Sequence, residues 1–316
     1  MKLNIISDLH CDIRKGEVQW FDFEPERLEP ADFLIVAGDT GFANTERRIL
    51  AELKQRTKGK FRRILAIDGN HSLWEFEDYE EEDRNQDKYE EIKPIGSNID
   101  VVEGNVAIIG APLWTNAISL NEVRYMNDYR YIPDFTPSDK LHRYAADSNW
   151  LRIKYNEYKE QGKKIVIITH HNPRNSLILP EYSREHEDVH SAYWVFDAKE
   201  DWPGWETEIE KMSFNNFSKG LIKDVSDLKP DVWICGHIHE NLDIEHEGTR
   251  FIRHPIGYRF GWYKYDKDDP DQRAIMDSWY NKVIEIDNSP TMESENSFYS
   301  RMAERNAERQ ERSMYD

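Results

Sequence analysis

The chain has 316 residues, 38% of them hydrophobic and 33% charged, with 42 Lys plus Arg against 61 Asp plus Glu and a formal net charge of −19. That length suits one large domain or two small ones, and the balance is that of a globular protein with a wet surface. No apolar run approaches the ~18–20 residues of a membrane span, an acidic field repels a long nucleic acid, and the two cysteines, Cys11 and Cys235, are too few for a disulfide framework.

In chain order, the opening MKLNIISDLH puts an acid and a histidine where a secretory signal would continue its apolar stretch, so it reads as a first strand. Leu3–Ile6 runs into Ser7-Asp8-Leu9-His10, and Phe33–Ala37 runs into Gly38-Asp39. Thr45–Lys54 has the spacing of an amphipathic helix with Ile49, Leu50 and Leu53 inward. Ile64–Ile67 then leads to Asp68-Gly69-Asn70-His71. Glu75–Glu91 holds ten acids against Arg84 and Lys88, the composition of a solvated face or mobile loop. Val106–Ala111 before Pro112 is a strand without a ligand-type residue at its end. Trp150–Gln161 is expected to be a helix leading into Ile165–Ile168, which precedes Thr169-His170-His171. Val232–Cys235 precedes Gly236-His237-Ile238-His239, and Arg250–Arg253 and Lys282–Ile286 read as further strands. No repeat and no Gly/Ser- or Pro-rich linker divides the chain. Residues 1–288 are therefore expected to form one domain, and 289–316, with Glu308 and Arg312 at helical spacing, a charged tail that is a peripheral helix or partly disordered.

Continuous apolar runs are the mark of buried parallel strands, and α/β folds place ligands outside the carboxyl ends of such strands. Five strands here each deliver an acid, Asn or His at that end. Asp8 to Asp39 and Asp39 to Asn70 each span 31 positions, near the ~30 residues of a βαβ unit. Of 11 histidines, six stand in these motifs: His10, His71, His170, His171, His237 and His239. Convergent titratable residues of this kind mark a site. Two divalent ions about 3.5–4 Å apart need several nitrogen and oxygen ligands and one bridging carboxylate, and a water between them becomes a nucleophile near neutral pH. Cys11 and Cys235 each stand beside one of these motifs, read as small buried residues at strand ends that could lie close together, and their scarcity fits a reducing cytoplasm.

The ordered series Asp8-x-His10, Gly38-Asp39, Gly69-Asn70-His71, Thr169-His170-His171 and Gly236-His237-x-His239 resembles the calcineurin-like metallophosphoesterase superfamily. Met126-Asn127-Asp128-Tyr129, following Leu113-Trp114, resembles a small bacterial and phage branch of it. The resemblance implies an α/β fold, a four-layer α/β/β/α sandwich with two mixed sheets. It implies two divalent metal ions, one held by Asp8, His10, Asp39 and His239, the other by the bridging Asp39 with Asn70, His170 and His237. His71 would be a general acid near the leaving group, and His171 is either outside the ligand shell or exchanges roles with His170. The ions are expected to be manganese, with iron, zinc, cobalt or nickel as alternatives. Asp39 is followed by Thr40-Gly41-Phe42 rather than the Asp-Arg-Gly run of protein Ser/Thr phosphatases, which argues against a phosphoprotein substrate. Phe42 stands where purple acid phosphatases carry a tyrosine ligand, so a tyrosinate–iron centre is not expected. His254-Pro255-Ile256-Gly257-Tyr258 stands where relatives often show Asn-Pro-Arg-Gly-Tyr, which leaves substrate contacts to Arg253, Arg259, Arg174 or Arg130. Asn127, Asp128, His171 and His254 complete the candidates for outer-shell or substrate contact.

The expected activity is hydrolysis of a small, nucleotide-like phosphodiester or phosphomonoester in the cytoplasm of a bacterium or phage-infected cell. The alternatives are a nuclease of the same superfamily and a non-catalytic metal-binding scaffold. The oligomeric state is not legible.

Overall fold

The computed structural model describes residues 1–14, 17–20, 23–43, 45–74, 98–114, 126–173, 225, 227–239, 241–256 and 270–289. The acidic segment Glu75–Glu91, Arg174, Arg259 and the tail beyond Ser289 lie outside them.

Two mixed sheets stack face to face. The first runs β12 (Val283–Glu285), β1 (Lys2–Ile6), β4 (Phe33–Ala37), β5 (Arg63–Ile67), with β1, β4 and β5 parallel and β12 antiparallel at the edge. The second runs β10 (Leu242–His246), β11 (Thr249–Arg253), β9 (Val232–Cys235), β8 (Lys164–Ile168), β7 (Val106–Gly110), β6 (Ile99–Glu103). Its four central strands are parallel and its two edges antiparallel. A short hairpin, β2 (Asp12–Arg14) with β3 (Glu17–Gln19), pairs with neither, though Val18 packs into the core on the outer face of the first sheet.

Side chains alternate along a strand, so a continuous apolar run feeds two cores at once. Leu3, Ile5, Phe33, Ile35, Leu65 and Ile67 of the first sheet meet Ile108, Val166, Ile168, Ile234 and Ile252 of the second in the layer between the sheets. The intervening Ile6, Leu34 and Val36 point outward, where Ile49, Leu50 and Leu53 of α1 (Glu46–Arg56) and Trp279 cover them. On the far side Ile109, Ile165, Ile167 and Trp233 pack under Tyr144, Leu151 and Tyr155 of a long helix. The order is helix, sheet, sheet, helix, as the resemblance implies. Among the described residues no helix is long and apolar enough to cross a membrane.

A short helix, α2 (Asp128–Tyr131), precedes that long helix, α3 (Pro137–Glu160). The latter begins well before the expected Trp150. Its start is a capping box in which Thr136 Oγ1 accepts from the Asp139 amide at 3.2 Å and Asp139 Oδ2 accepts from the Thr136 amide at 2.9 Å, with Pro137 in the first turn. The first half of α3 is polar and even buries Lys140, so it carries no apolar periodicity to read. Cys11 and Cys235 fall in the outer cores of different sheets rather than in one cluster, because Cys11 follows β1 of the first sheet and Cys235 ends β9 of the second. The last helix among the described residues, α4 (Pro270–Ser278), packs Met276 on the outer face of the first sheet.

Candidate metal centre

The parallel registers bring the strand ends to one rim. Ile6 pairs with Val36, Ala37 with Ile67, and Ile168 with Ile234, so the residues just beyond them leave the sheets together. Within each sheet the pairing continues past the strand ends: the Gly236 amide donates to the His170 carbonyl at 2.9 Å in the second, and the Asp8 amide donates to the Gly38 carbonyl at 3.0 Å in the first. Asp8, His10, Asp39 and His237 have φ of 53°, 46°, 51° and 67°. Left-handed backbone at non-glycine residues costs about 1–3 kcal/mol each and persists where surroundings enforce it. The enforcing bonds here are the His10 amide to the Asp39 carbonyl at 2.9 Å and the His237 amide to Asp8 Oδ1 at 3.0 Å. Gly69 and Gly236 let these turns approach. A Cβ on Gly69 would lie 2.5 Å from the Asp39 amide nitrogen, and one on Gly236 would lie 2.8 Å from Asp8 Oδ2.

The converging side chains form three groups, Asp8–His10–His239, His10–Asp39–His71 and Asp39–His170–His237, each offering donor atoms within 4.8 Å of one another. Asp39 Oδ2 lies 3.3 Å from His170 Nε2 and 3.9 Å from both His10 Nε2 and His71 Nε2. Asp8 Oδ1 lies 3.5 Å from His239 Nε2, and His10 and His239 bring their Nε2 atoms to 3.0 Å. Asn70 Oδ1 sits 3.1 Å from His170 Nε2 and 3.2 Å from His237 Nδ1. Such a donor set, imidazole nitrogens with carboxylate and amide oxygens, is one that transition-metal ions accept.

Hydrogen bonds behind these groups set their orientation. His170 Nδ1–H donates to the Ala37 carbonyl at 2.9 Å, which turns Nε2 toward Asp39 and Asn70. Ser7 Oγ–H donates to Asp8 Oδ2 at 2.5 Å. The Asn70 amide nitrogen donates to Asp128 Oδ1 at 2.9 Å, and Trp74 Nε1–H donates to the same oxygen at 2.8 Å. The Trp74 ring stacks on His71 with centroids 3.6 Å apart, and Phe42 stacks on the same ring at 5.7 Å.

Burial and mutual charge poise the cluster for cations. Burial resists ionisation of Asp8, yet the hydrogen bond and charge of His239 hold its carboxyl at about 2. Burial likewise resists in Asp39, and the His170 charge carries it well below the usual carboxylate range. Burial drives His71 down to about 4 and, with His170 beside it, His237 down to about 3. His170 goes the other way, to about 9, because the Asp39 carboxylate outweighs the effect of burial. Ionised acids and neutral imidazoles are the forms that bind metal, and an ion would take the place of the His170 proton.

The structure thus brings together Asp8, His10, Asp39, Asn70, His71, His170, His237 and His239. His171 packs behind, its ring 4.4 Å from His237 and 5.2 Å from Trp114, with Nδ1 3.4 Å from the Pro112 carbonyl. Asp128 touches the cluster through Asn70. Asn127 and Arg130 are exposed and bond each other at 3.4 Å. Arg253 is buried at the end of β11, where its charge bears on Cys235. His254, just past the end of β11, turns its Nε2 to the carbonyl of Trp279, a residue of the core on the outer face of the first sheet, at 3.2 Å. Trp74 was not singled out from sequence, although its place three residues after His71, one short helical turn on, is the signal that could have found it.

A family model described as calcineurin-like phosphoesterase matches residues 1–241. Comparison with curated protein sequences gives no match. Among solved structures, a phosphopantetheinyl hydrolase from Mycobacterium tuberculosis is similar over 81% of this chain and 89% of its own, at 17% identity and a TM-score of 0.51, a likeness of fold. A purple acid phosphatase from yellow lupin seeds aligns over 80% of this chain and 43% of its own, at 10% identity and a TM-score of 0.38.

Proposed function

Because the chain belongs to the calcineurin-like phosphoesterase family, and so is a metal-dependent hydrolase of phosphate esters, we propose that it cleaves a small nucleotide-like ester at the Asp–His cluster. Asp8, His10, Asp39 and His239 would hold one divalent ion, and Asp39, Asn70, His170 and His237 the other. The observation that carries this reading is Asp39. Its carboxylate belongs to two of the three donor groups and faces His10, His71 and His170 within 4 Å, as a bridging ligand must. Bound ions supply a nucleophile at neutral pH by lowering the pKa of a water, and they neutralise charge on the phosphoryl oxygens. Manganese is the proposed metal, and the cytoplasm the proposed compartment.

The chain's own residues do the rest. His170 is held by the Ala37 carbonyl so that its Nε2 faces the cluster. His71 stands beside Asp39 and is proposed as the proton donor to the leaving oxygen. Burial leaves its ring uncharged at neutral pH, so the proton is taken up when the negative phosphate arrives and raises its pKa. Trp74 stacks on that ring and Phe42 packs against both, which restricts its rotation. The net charge of −19 supports a small substrate over a long nucleic acid. Residues 1–288 are proposed as the catalytic domain, with the tail dispensable.

The test is a screen of metal-reconstituted protein against nucleotides, cyclic nucleotides and phosphopeptides. Metal-dependent turnover concentrated on nucleotide esters is expected. Turnover confined to phosphopeptides, or none by protein that has bound its ions, would overturn the substrate reading.

A further inference from the structure

We propose that Asp128 is the positioning residue of the second ion site, deciding which end of the Asn70 side chain faces the cluster. The inference rests on the reading of Asn70 as a ligand. An asparagine amide has two ends of nearly equal size, and only the oxygen can bind a cation. A reversed amide would put an N–H₂ group against the ion and abolish the site without any change of shape.

The choice is made on the side away from the cluster. Asn70 Nδ2 donates to Asp128 Oδ1 at 2.9 Å, which leaves Asn70 Oδ1 between His170 Nε2 and His237 Nδ1. A carboxylate only accepts hydrogen bonds, so the reversed amide would set lone pairs against lone pairs at Asp128. Asp128 itself is held. It is 4% exposed, and its Oδ1 also accepts from Trp74 Nε1–H at 2.8 Å. Among the described residues it belongs to none of the three donor groups, and its Oδ1 faces the Asn70 and Trp74 N–H groups. A buried carboxylate is expensive to keep, and here it is spent on orienting one neutral side chain and one indole.

Metal titration of stripped protein, read by calorimetry with Mn²⁺ alone, tests this without reference to activity. Wild type should bind about two ions per chain. Asp128→Ala should weaken the second ion by roughly 10–100-fold, the usual cost of removing a ligand's orienting partner. Asp128→Asn keeps an acceptor oxygen for both donors and should stay within about threefold of wild type. Asn70→Asp sets two carboxylates against each other. The indole N–H shares the Asp128 oxygen, so Trp74→Phe is made in both arms; in that background, adding Asp128→Asn to Asn70→Asp turns an amide N–H₂ to the new carboxylate and should tighten the second ion at least about tenfold. Unchanged second-ion affinity in folded Asp128→Ala overturns the proposal. Should that variant fail to fold, equal affinities with and without Asp128→Asn in the Asn70→Asp, Trp74→Phe background overturn it instead. A wild-type chain that binds fewer than two ions overturns the underlying reading of the site, and this proposal with it.

Discussion

Replacing Gly69 by alanine adds a single methyl group behind Asp39 and should disable the centre. The new Cβ would lie 2.7 Å from Asp39 Cγ and 2.5 Å from the Asp39 amide nitrogen. Carbon atoms in ordinary contact are about 3.5–4.0 Å apart, so the carboxylate must retreat by roughly 1 Å. Asp39 has little room to do so, because its Oδ1 is tied to the His71 amide at 3.0 Å. A 1 Å misplacement of catalytic geometry costs on the order of 10²-fold in rate, and overpacking costs about 1–3 kcal/mol of stability. The matched control is Gly59→Ala. Gly59 has φ of 85° and nothing within 4 Å of its added Cβ, so alanine there costs about 1–2 kcal/mol through the backbone alone. The assay is kcat/KM on one ester, with thermal unfolding, for both variants. Both should lose comparable stability, and only Gly69→Ala should lose activity. Equal kcat/KM in the two variants would refute the claim that Asp39 must stand where it does.

His71→Ala should keep its metals yet lose about 10²–10⁴-fold on an alkyl or ribose ester, with a much smaller loss on a nitrophenyl ester, whose leaving group needs no proton; an equal loss on both removes the acid role. Truncation after Asn288 should leave kcat/KM unchanged, since Asn288 Oδ1 still accepts from the Asn105 amide at 2.9 Å; loss of solubility or activity shows that the tail packs on the body or on another subunit. Asp243 accepts two bonds from Arg250 and one from Lys282, and the Arg250 pair above all holds its pKa at about 2. Its stabilisation is present above the unfolded value of about 3.9 and fades as pH falls toward about 2. Asp243→Asn should therefore cost up to about 1 kcal/mol in denaturant melts at pH 7 and nothing at the acid end of that window; a gap that widened on acidification would contradict the pairing.

The strands that carry the centre were legible because burial on both faces forces every position to be apolar. Phe33–Ala37 and Val232–Cys235 could be read to the residue, and the polar residue after the glycine that ends each run, Asp39 or His237, is the one that enters the cluster. Strands with a solvated face were missed. Ile99–Glu103 and Leu242–His246 alternate buried and exposed side chains, and their acids and histidine look like loop. The first half of α3 was missed for the related reason that its buried positions include Lys140 and Ser148. Within the site, residues that enter the cluster could be identified from their place at strand ends, whereas those that orient it could not be ranked. Asp128 and His254 looked alike as outer-shell candidates. Only the fold shows that one grips Asn70 and the other faces Trp279. Trp74 escaped because its contribution is a ring face and one N–H, neither of which leaves a pattern in sequence.

The central claim is that Asp39 bridges two ions, and counting the metal in Asp39→Asn tests it most directly. Amide for carboxylate keeps the shape and removes the one charge that faces His10, His71 and His170 together. Without it the ions repel each other unscreened. Elemental analysis after desalting should find about two ions per wild-type chain and about one or fewer in the variant, with turnover abolished and the fold intact. A variant that retains both ions and near-normal rates would contradict the account.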